Sequence, residues 1–361
     1  MAEIKRLGVL TSGGDCAGLN AVIRAVVKRA INGYGWRVFG IHDGTLGLLE
    51  RPVDCEELTL DLFTGNILRM GGTILGSTNR GDPFAFPMPD GSTKDRSEEF
   101  ITGYHELALD ALIAIGGDGS MKIMRRLATQ GNFKLVMVPK TIDNDVAETE
   151  NAIGYITAVD VATEALDRLQ PTAAIHSRVM VLEVMGRDAG HIALSTGIAG
   201  GADVILIPEI PYSLDNVARK IESVREQGRN FALVVVAEGV KTENGEPVII
   251  READGAERLG GIGHFFGRRI NELTGAETRV TILGHTQRGG MPSPRDRLFG
   301  SAFGVHAVEL VAQGKFDRMV AWSNRACVDV PLTSVIDRPC AVDTGGALVQ
   351  TARGLGICLG D

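Results

Sequence analysis

Long apolar runs are missing from this 361-residue chain. No stretch approaches the ~20 residues that a membrane span needs, so no membrane partner is expected. Cysteine is sparse and dispersed: Cys16, Cys55, Cys327, Cys340 and Cys358 include no CxxC pair. That pattern speaks against a disulfide frame or zinc site and predicts reduced thiols in a cytoplasmic protein. An excess of positive charge is also lacking. Lys plus Arg number 37 against 45 Asp plus Glu, a formal net charge of −8. No nucleic-acid partner is therefore expected, although local arginine clusters remain possible. The opening MAEIKRLGVLTSGGD reaches Gly and Asp too early for the apolar region of a signal peptide, so secretion is not expected. Three chemical signatures are absent as well. There is no GxxxxGKS or GxxxxGKT P-loop, no GxGxxG after the first strand to suit a nicotinamide dehydrogenase, and no HExxH for a zinc hydrolase. No Pro/Ser-rich linker divides the chain, and no short-period repeat organises it.

Glycine, by contrast, is plentiful at 46 residues, and it belongs where backbone turns sharply or approaches a ligand closely. The length suggests about two domains. RLGVL (6–10), GWRVFGI (35–41), DALIAI (110–115) and KLVMVP (134–139) are short apolar runs that predict strands. SRVMVLEVMG, DVILIPEI, FALVVVAEG and TRVTILG continue the series. Helical spacing appears at 17–32, with Leu19, Val22, Ile23, Val26, Val27 and Ala30 on one face, and again at 156–169, 189–199, 214–227 and 262–273. Alternating apolar strands and helices predict α/β architecture with parallel sheets covered on both faces. A fresh α/β series starts near residue 154, after the loop PKTIDND. Residues 80–96, RGDPFAFPMPDGSTKDR, are rich in turn formers and read as an irregular excursion or hairpin.

Glycine clusters fall where strands end, the edge on which open α/β sheets bind ligands. TSGGD (11–15) and IGGDGS (115–120) each lie between a strand and a helix. A helix N-terminus presents N–H groups and partial positive charge, which suits phosphate. Asp118 in the second turn can hold Mg²⁺ shared with phosphate oxygens. The competing reading is a tight connection with no ligand. In PKTIDND, Asp143 and Asp145 stand near Lys140. A carboxylate there can take a proton from a substrate hydroxyl, or the loop is simply an Asx-rich helix cap. EVMGRDAGH supplies Met185, Gly186, Arg187, Asp188 and His191; LGHTQRGG supplies His285, Thr286, Gln287 and Arg288. With Arg178 and Arg279 at strand starts, these form a plausible phosphate receptor. Glu238 can accept hydrogen bonds from sugar hydroxyls or serve a structural pair.

Read in order, GVLTSGGDCAGLNAVIR, IGGDGS, PKTIDND, EVMGR, AGGAD, AEG and LGHTQRGG resemble the phosphofructokinase family over about residues 5–337. The resemblance implies two similar Rossmann-like domains with mainly parallel sheets and the active site in the cleft between them. It assigns 1–154 plus about 287–337 to a phosphate-donor domain, and 155–286 plus about 338–361 to a sugar-phosphate domain. It implies phosphoryl transfer to the 1-hydroxyl of fructose 6-phosphate. By motif position, Gly14, Arg80, Gly117, Asp118, Gly119 and Ser120 serve the donor, with Asp118 on Mg²⁺. Asp143 is the base, Thr141 stands beside the transferred group, Arg187 stabilises that group's charge, and Ile142 binds substrate. Met185, Gly186 and Glu238 contact the sugar; Arg178, Arg279, His285, Thr286, Gln287 and Arg288 surround its phosphate. Residues at the places of Arg178 and Arg279 come from a neighbouring subunit, which implies a homo-oligomer, dimer or tetramer, with shared sites.

The family pattern sets donor choice at Gly119 and Lys140. Glycine at the first leaves space for a nucleotide α-phosphate, whereas lysine at the second is common in pyrophosphate users. A steric gate outweighs an added charge, so the expectation is ATP with Mg²⁺, with a pyrophosphate-dependent enzyme and a silent regulatory subunit as alternatives. Two departures stand out near the donor: Asn79 precedes Arg80 where an arginine is usual, and His42 replaces an aromatic. Arg24, Lys28 and Arg229 match part of the family's effector site, but Gln170 and Gln227 replace basic residues. An altered or absent response to ADP and phosphoenolpyruvate is therefore expected.

Overall fold

The computed structural model describes residues 4–79, 81–251 and 257–361. It divides into two compact units: Met1–Thr141, Val146–Ile156 and Arg288–Pro339 form the first, and Ile142–Asp145, Thr157–Gln287 and Cys340–Asp361 the second. The sheet of the first unit runs Ala326–Pro331, Arg318–Ser323, Leu135–Thr141, Ala111–Gly116, Arg6–Thr11, Arg37–Ile41, Cys55–Leu58, with the short strand Ile153–Gly154 also on Leu135–Thr141. Interior neighbours are parallel, and only the outermost pair at each edge is antiparallel. Every residue of Ala111–Gly116 is buried, as expected of a parallel strand covered on both faces. From Arg6–Thr11 the chain crosses through helix Leu19–Tyr34 to Arg37–Ile41 on one side. From Ala111–Gly116, on the other side, it crosses through helix Asp118–Gly131 to Leu135–Thr141. The direction of winding therefore reverses between the first pair, which marks the ligand crevice of such sheets.

Phe133 stacks on Tyr104 at 4.5 Å and lies 6.2 Å from Phe100, anchoring a core that includes Met121, Met124 and Leu127. The 80–96 excursion forms the expected hairpin, with Phe86–Pro87 antiparallel to Thr93–Lys94. Guanidinium groups hold it: Arg126 lies 3.6 Å over the Phe84 ring and Arg96 4.7 Å over Phe86.

The second unit has four parallel strands in the order Val204–Leu206, Ala232–Ala237, Val179–Val184, Thr278–Ile282. The helix expected at 156–169 is longer, Tyr155–His176, and continues through Pro171. The strand read from DVILIPEI shrinks to Val204–Leu206, consistent with the proline that follows lacking an N–H for a ladder. No helix among the described residues is long and apolar enough to cross a membrane.

In the first unit, helices Leu19–Tyr34 and Pro294–Ala312 approach over glycine. A Cβ at Gly300 would stand 3.0 Å from Ala21 Cβ, and one at Gly304 only 2.6 Å from Val22 O and 2.7 Å from Ala25 Cβ. Backbone at that distance cannot step aside as a side chain would. Gly304→Val is expected to lower stability by about 1–3 kcal/mol through overpacking, read as a lower urea midpoint. An unchanged midpoint would show that the two helices separate without cost.

Candidate active site

The register of the two central strands brings the two glycine turns together. Thr11 pairs with Ile115, and Ser12 N donates to Ile115 O at 2.9 Å, so both glycine turns leave the sheet together. Ser120 Oγ and Ser12 Oγ are hydrogen-bonded at 3.0 Å across them. Gly13 N donates to Thr78 O at 2.9 Å, and Ser77 Oγ donates to Gly13 O at 2.6 Å. Gly13 has φ +85, a left-handed conformation that glycine adopts without strain. Gly117, which has no side chain to cap with, precedes helix Asp118–Gly131. Its first-turn N–H groups suit an anion. Asp118 and Gly119 are exposed in that turn. A Cβ at Gly119 would meet no described atom within 4 Å outside its own helix. Gly119, Ser120, Ser12, Gly13, Thr78 and Asn79 help line a cavity of about 240 Å³. Arg80 lies outside the described residues.

Two cations face the first turn. Lys140, buried at 5% exposure, donates from Nζ to Gly14 O. Arg288 donates to Asp15 O at 3.2 Å, and its guanidinium would stand 3.0 Å from a Cβ on Gly14. Arg288, placed with the sugar phosphate by motif, thus also touches the first glycine turn. Cys16 lies beneath this loop, fully buried, its thiol donating to Ile153 O at 3.3 Å. Burial, only partly offset by Lys140, pushes that thiol from 9.0 up to about 12. His42 meets Asp54 at 2.8 Å and Glu56 at 3.4 Å. Burial opposes its charge, but those carboxylates win and raise its pKa.

Strand ends of the second unit carry the other candidates. Asp143 is partly buried beside buried Ile142, and Asn144 has φ 53. Thr141 ends Leu135–Thr141 in the first unit. Gln287, 1% exposed, accepts from Met185 N at 2.6 Å and donates to Ala158 O at 3.3 Å. Its amide is therefore spent on holding backbone. Gly186 has φ +133, and a Cβ on Gly239 would lie 2.0 Å from Arg187 O. These close approaches leave Arg187 exposed at the loop tip, with Glu238 partly exposed beside Gly239. His285 and Thr286 are exposed on the turn Gly284–Arg288. Arg178 and Arg279 both pair with Glu277, whose carboxyl they hold below its usual range, Arg178 foremost. Arg279 also lines a cavity of about 520 Å³ with His264, Arg268 and Asn271. Arg229 pairs with Asp203 and lies 4.9 Å over the Phe231 ring.

Sequence reasoning missed the supports. Glu183, 1% exposed on Val179–Val184, accepts from Gly261 N at 2.8 Å and Gly263 N at 2.7 Å. It thereby caps helix Ile262–Thr274. Within the apolar run VMVLEVM nothing distinguishes this carboxylate from a surface residue. Among the described residues, no group of three or more His, Cys, Asp or Glu is arranged to hold a metal ion. A divalent cation would depend on Asp118 together with ligand oxygens.

A parallel α/β scaffold with two glycine-lined turns at its winding reversal has a geometry that suits phosphate. The phosphofructokinase family model matches residues 6–311, and the chain belongs to that family. It is 60% identical, over all of both chains, to the proteins called ATP-dependent 6-phosphofructokinase 1 of Synechocystis sp. and of Nostoc sp.. Among solved structures it resembles phosphofructokinase from Saccharomyces cerevisiae, with a TM-score of 0.76 and 31% identity over 91% of this chain. The chain spans 45% of the length of that yeast protein.

The buried thiol gives a pH signature. Unfolded, Cys16 loses its proton near 9.0; folded, it keeps it to about 12. Its contribution is therefore whole below pH 9.0 and is lost as pH rises through that window. Urea midpoints above pH 9.0 are expected to fall less steeply for Cys16→Ala than for the unaltered chain. Equal slopes would mean that the thiol ionises as readily folded as unfolded.

Proposed function

We propose that this chain is an ATP-dependent 6-phosphofructokinase. It transfers the γ-phosphoryl group of ATP to the 1-hydroxyl of fructose 6-phosphate, giving fructose 1,6-bisphosphate and ADP. The observation that carries the choice of donor is the open space at Gly119, on the first turn of a helix capped by Gly117. A nucleotide triphosphate needs that space, and an aspartate there would fill it with negative charge. Lys140, the feature favouring pyrophosphate, donates to Gly14 O and so supports the loop backbone. The names of the relatives at 60% identity agree with ATP.

In this reading Asp143 accepts the proton of the 1-hydroxyl as its oxygen bonds to the γ-phosphorus. The bond from that phosphorus to the β–γ bridging oxygen breaks, and ADP leaves with the electron pair. Arg187 stabilises charge on the moving group, while helix N–H groups steady the phosphates that stay behind; positioning and electrostatics supply most of such catalysis. Thr141 and Ile142 flank Asp143. Met185, Gly186 and Glu238 contact the sugar, and His285, Thr286 and Arg288 its phosphate. Mg²⁺ bound with the nucleotide supplies charge neutralisation of phosphate oxygens, and Asp118 is the carboxylate offered to it. Arg178 and Arg279 serve a neighbouring subunit's phosphate site in a cytoplasmic homo-oligomer. The Asp203 pair engages Arg229, which supports an altered or absent response to ADP and phosphoenolpyruvate.

Two variants test this. Gly119→Asp sets a carboxylate against the donor phosphates, a like-charge contact of about 4 kcal/mol at an effective dielectric of 20. Its kcat/KM for ATP is expected to fall by roughly 100-fold or more; retained ATP use would refute the gate. Asp143→Ser is expected to lose roughly 10²–10⁴-fold in kcat with a modest change in KM. Turnover with pyrophosphate but none with ATP in the unaltered chain would overturn the donor assignment.

A further inference from the structure

The segment Cys340–Val342 is hydrogen-bonded to three separate parts of the second unit within three residues. Cys340 N donates to Asp145 O at 2.9 Å, at the end of the loop that carries Asp143. Cys340 O accepts from His191 Nε2 at 2.9 Å, which fixes the proton on that nitrogen because a carbonyl can only accept. Val342 N donates to Glu209 Oε1 at 2.8 Å. Glu209 is not spent on that bond alone. Gly190 N donates to the same carboxylate at 2.9 and 3.1 Å, at the end of the loop that carries Arg187. Gly190 is there because nothing larger fits: a Cβ would lie 2.3 Å from Ile207 Cβ and 2.9 Å from Glu209 Oε2. Val342 itself is buried at 7% exposure.

We infer that Glu209 and His191 are positioning residues for phosphoryl transfer, acting through Cys340–Val342 as a strap that ties the Asp143 loop to the Arg187 loop. The inference rests on the roles proposed above for Asp143 and Arg187. Neither Glu209 nor His191 is among the residues proposed above to meet substrate. Their effect is on where two loop-borne side chains are held, and an error of about 1 Å in such placement costs on the order of 100-fold in rate. A carboxylate suits the task because it accepts two backbone N–H groups at once, and hydrogen bonds to a charged acceptor are the stronger kind.

The test uses the full chain with fructose 6-phosphate and MgATP, following kcat, KM and the thermal midpoint together. Val342→Pro removes one N–H of the strap and leaves Glu209 and its bond to Gly190 in place. It is expected to lower kcat roughly 10- to 100-fold, with the midpoint and both KM values little changed. A folded Val342→Pro chain with full kcat overturns the strap. Glu209→Ala is expected to lose at least as much, and Glu209→Gln to recover most of it, because a carboxamide oxygen still accepts both N–H groups. Failure of Glu209→Gln to recover any rate also overturns it, since charge rather than grip would then be the operative property. If Val342→Pro does not fold, Glu209→Ala compared with Glu209→Gln decides on the same criteria. Asp143→Ser run alongside separates the two levels. Full activity in that variant sinks the reading beneath the strap. Loss of activity there, with Val342→Pro fully active, sinks the strap alone.

Discussion

The pairing of Arg6–Thr11 with Ala111–Gly116 is the constraint on which the placement of both glycine turns depends. Parallel pairing points both C-terminal ends to one edge, and the register at Thr11 and Ile115 brings their turns level. The Ser12–Ser120 hydrogen bond then joins the two turns directly. A slip of one residue would turn buried apolar side chains outward and carry the glycines off the crevice. The fully buried strand residues therefore do two things with one set of contacts: they form the core, and they fix the position of a glycine-rich backbone surface.

Acidic residues provide the second recurring device. Asp296, fully buried, accepts from Gly154 N at 3.0 Å; Asp203 accepts from Leu233 N at 2.9 Å; Glu183 and Glu209 hold the glycine turns already described. Glycine turns leave N–H groups pointing inward where no strand partner is available, and a buried N–H without a partner is costly. A carboxylate satisfies one or two of them and limits the freedom that glycine brings. Such acids resemble catalytic groups in composition, but each accepts from a main-chain amide.

Much of the α/β pattern was legible because buried parallel strands are continuous apolar runs and their helices keep an apolar stripe. ALIAI, LVMV and ALVVV need no long-range information to be read. Edge strands were not legible. CEEL at Cys55–Leu58 has one buried residue in four, and the antiparallel pair Arg318–Ser323 and Ala326–Pro331 mixes polar and apolar positions. Their strand character comes from the neighbour they hydrogen-bond to. Helix Tyr155–His176 ran past its expected end because packing tolerates Pro171 where local preference does not. The glycine turns and the loops around Asp143 and Arg187 could be placed from spacing, since each follows a strand. The supports could not: Glu183, Glu209 and Gln287 meet backbone that is distant in sequence, and motif position cannot tell that Gln287 is buried on Met185 and Ala158.

The contact of Leu19–Tyr34 with Pro294–Ala312 bears on how the chain is made. One helix emerges early from the ribosome, and the partner that covers it is translated only after most of the second unit. At about 5–20 residues per second the interval is on the order of tens of seconds. Throughout it the face around Val22 and Ala25 lacks the helix that covers it in the folded chain. Nascent chains of this protein should therefore be clients for hydrophobic-surface chaperones until Gly304 reaches its seat.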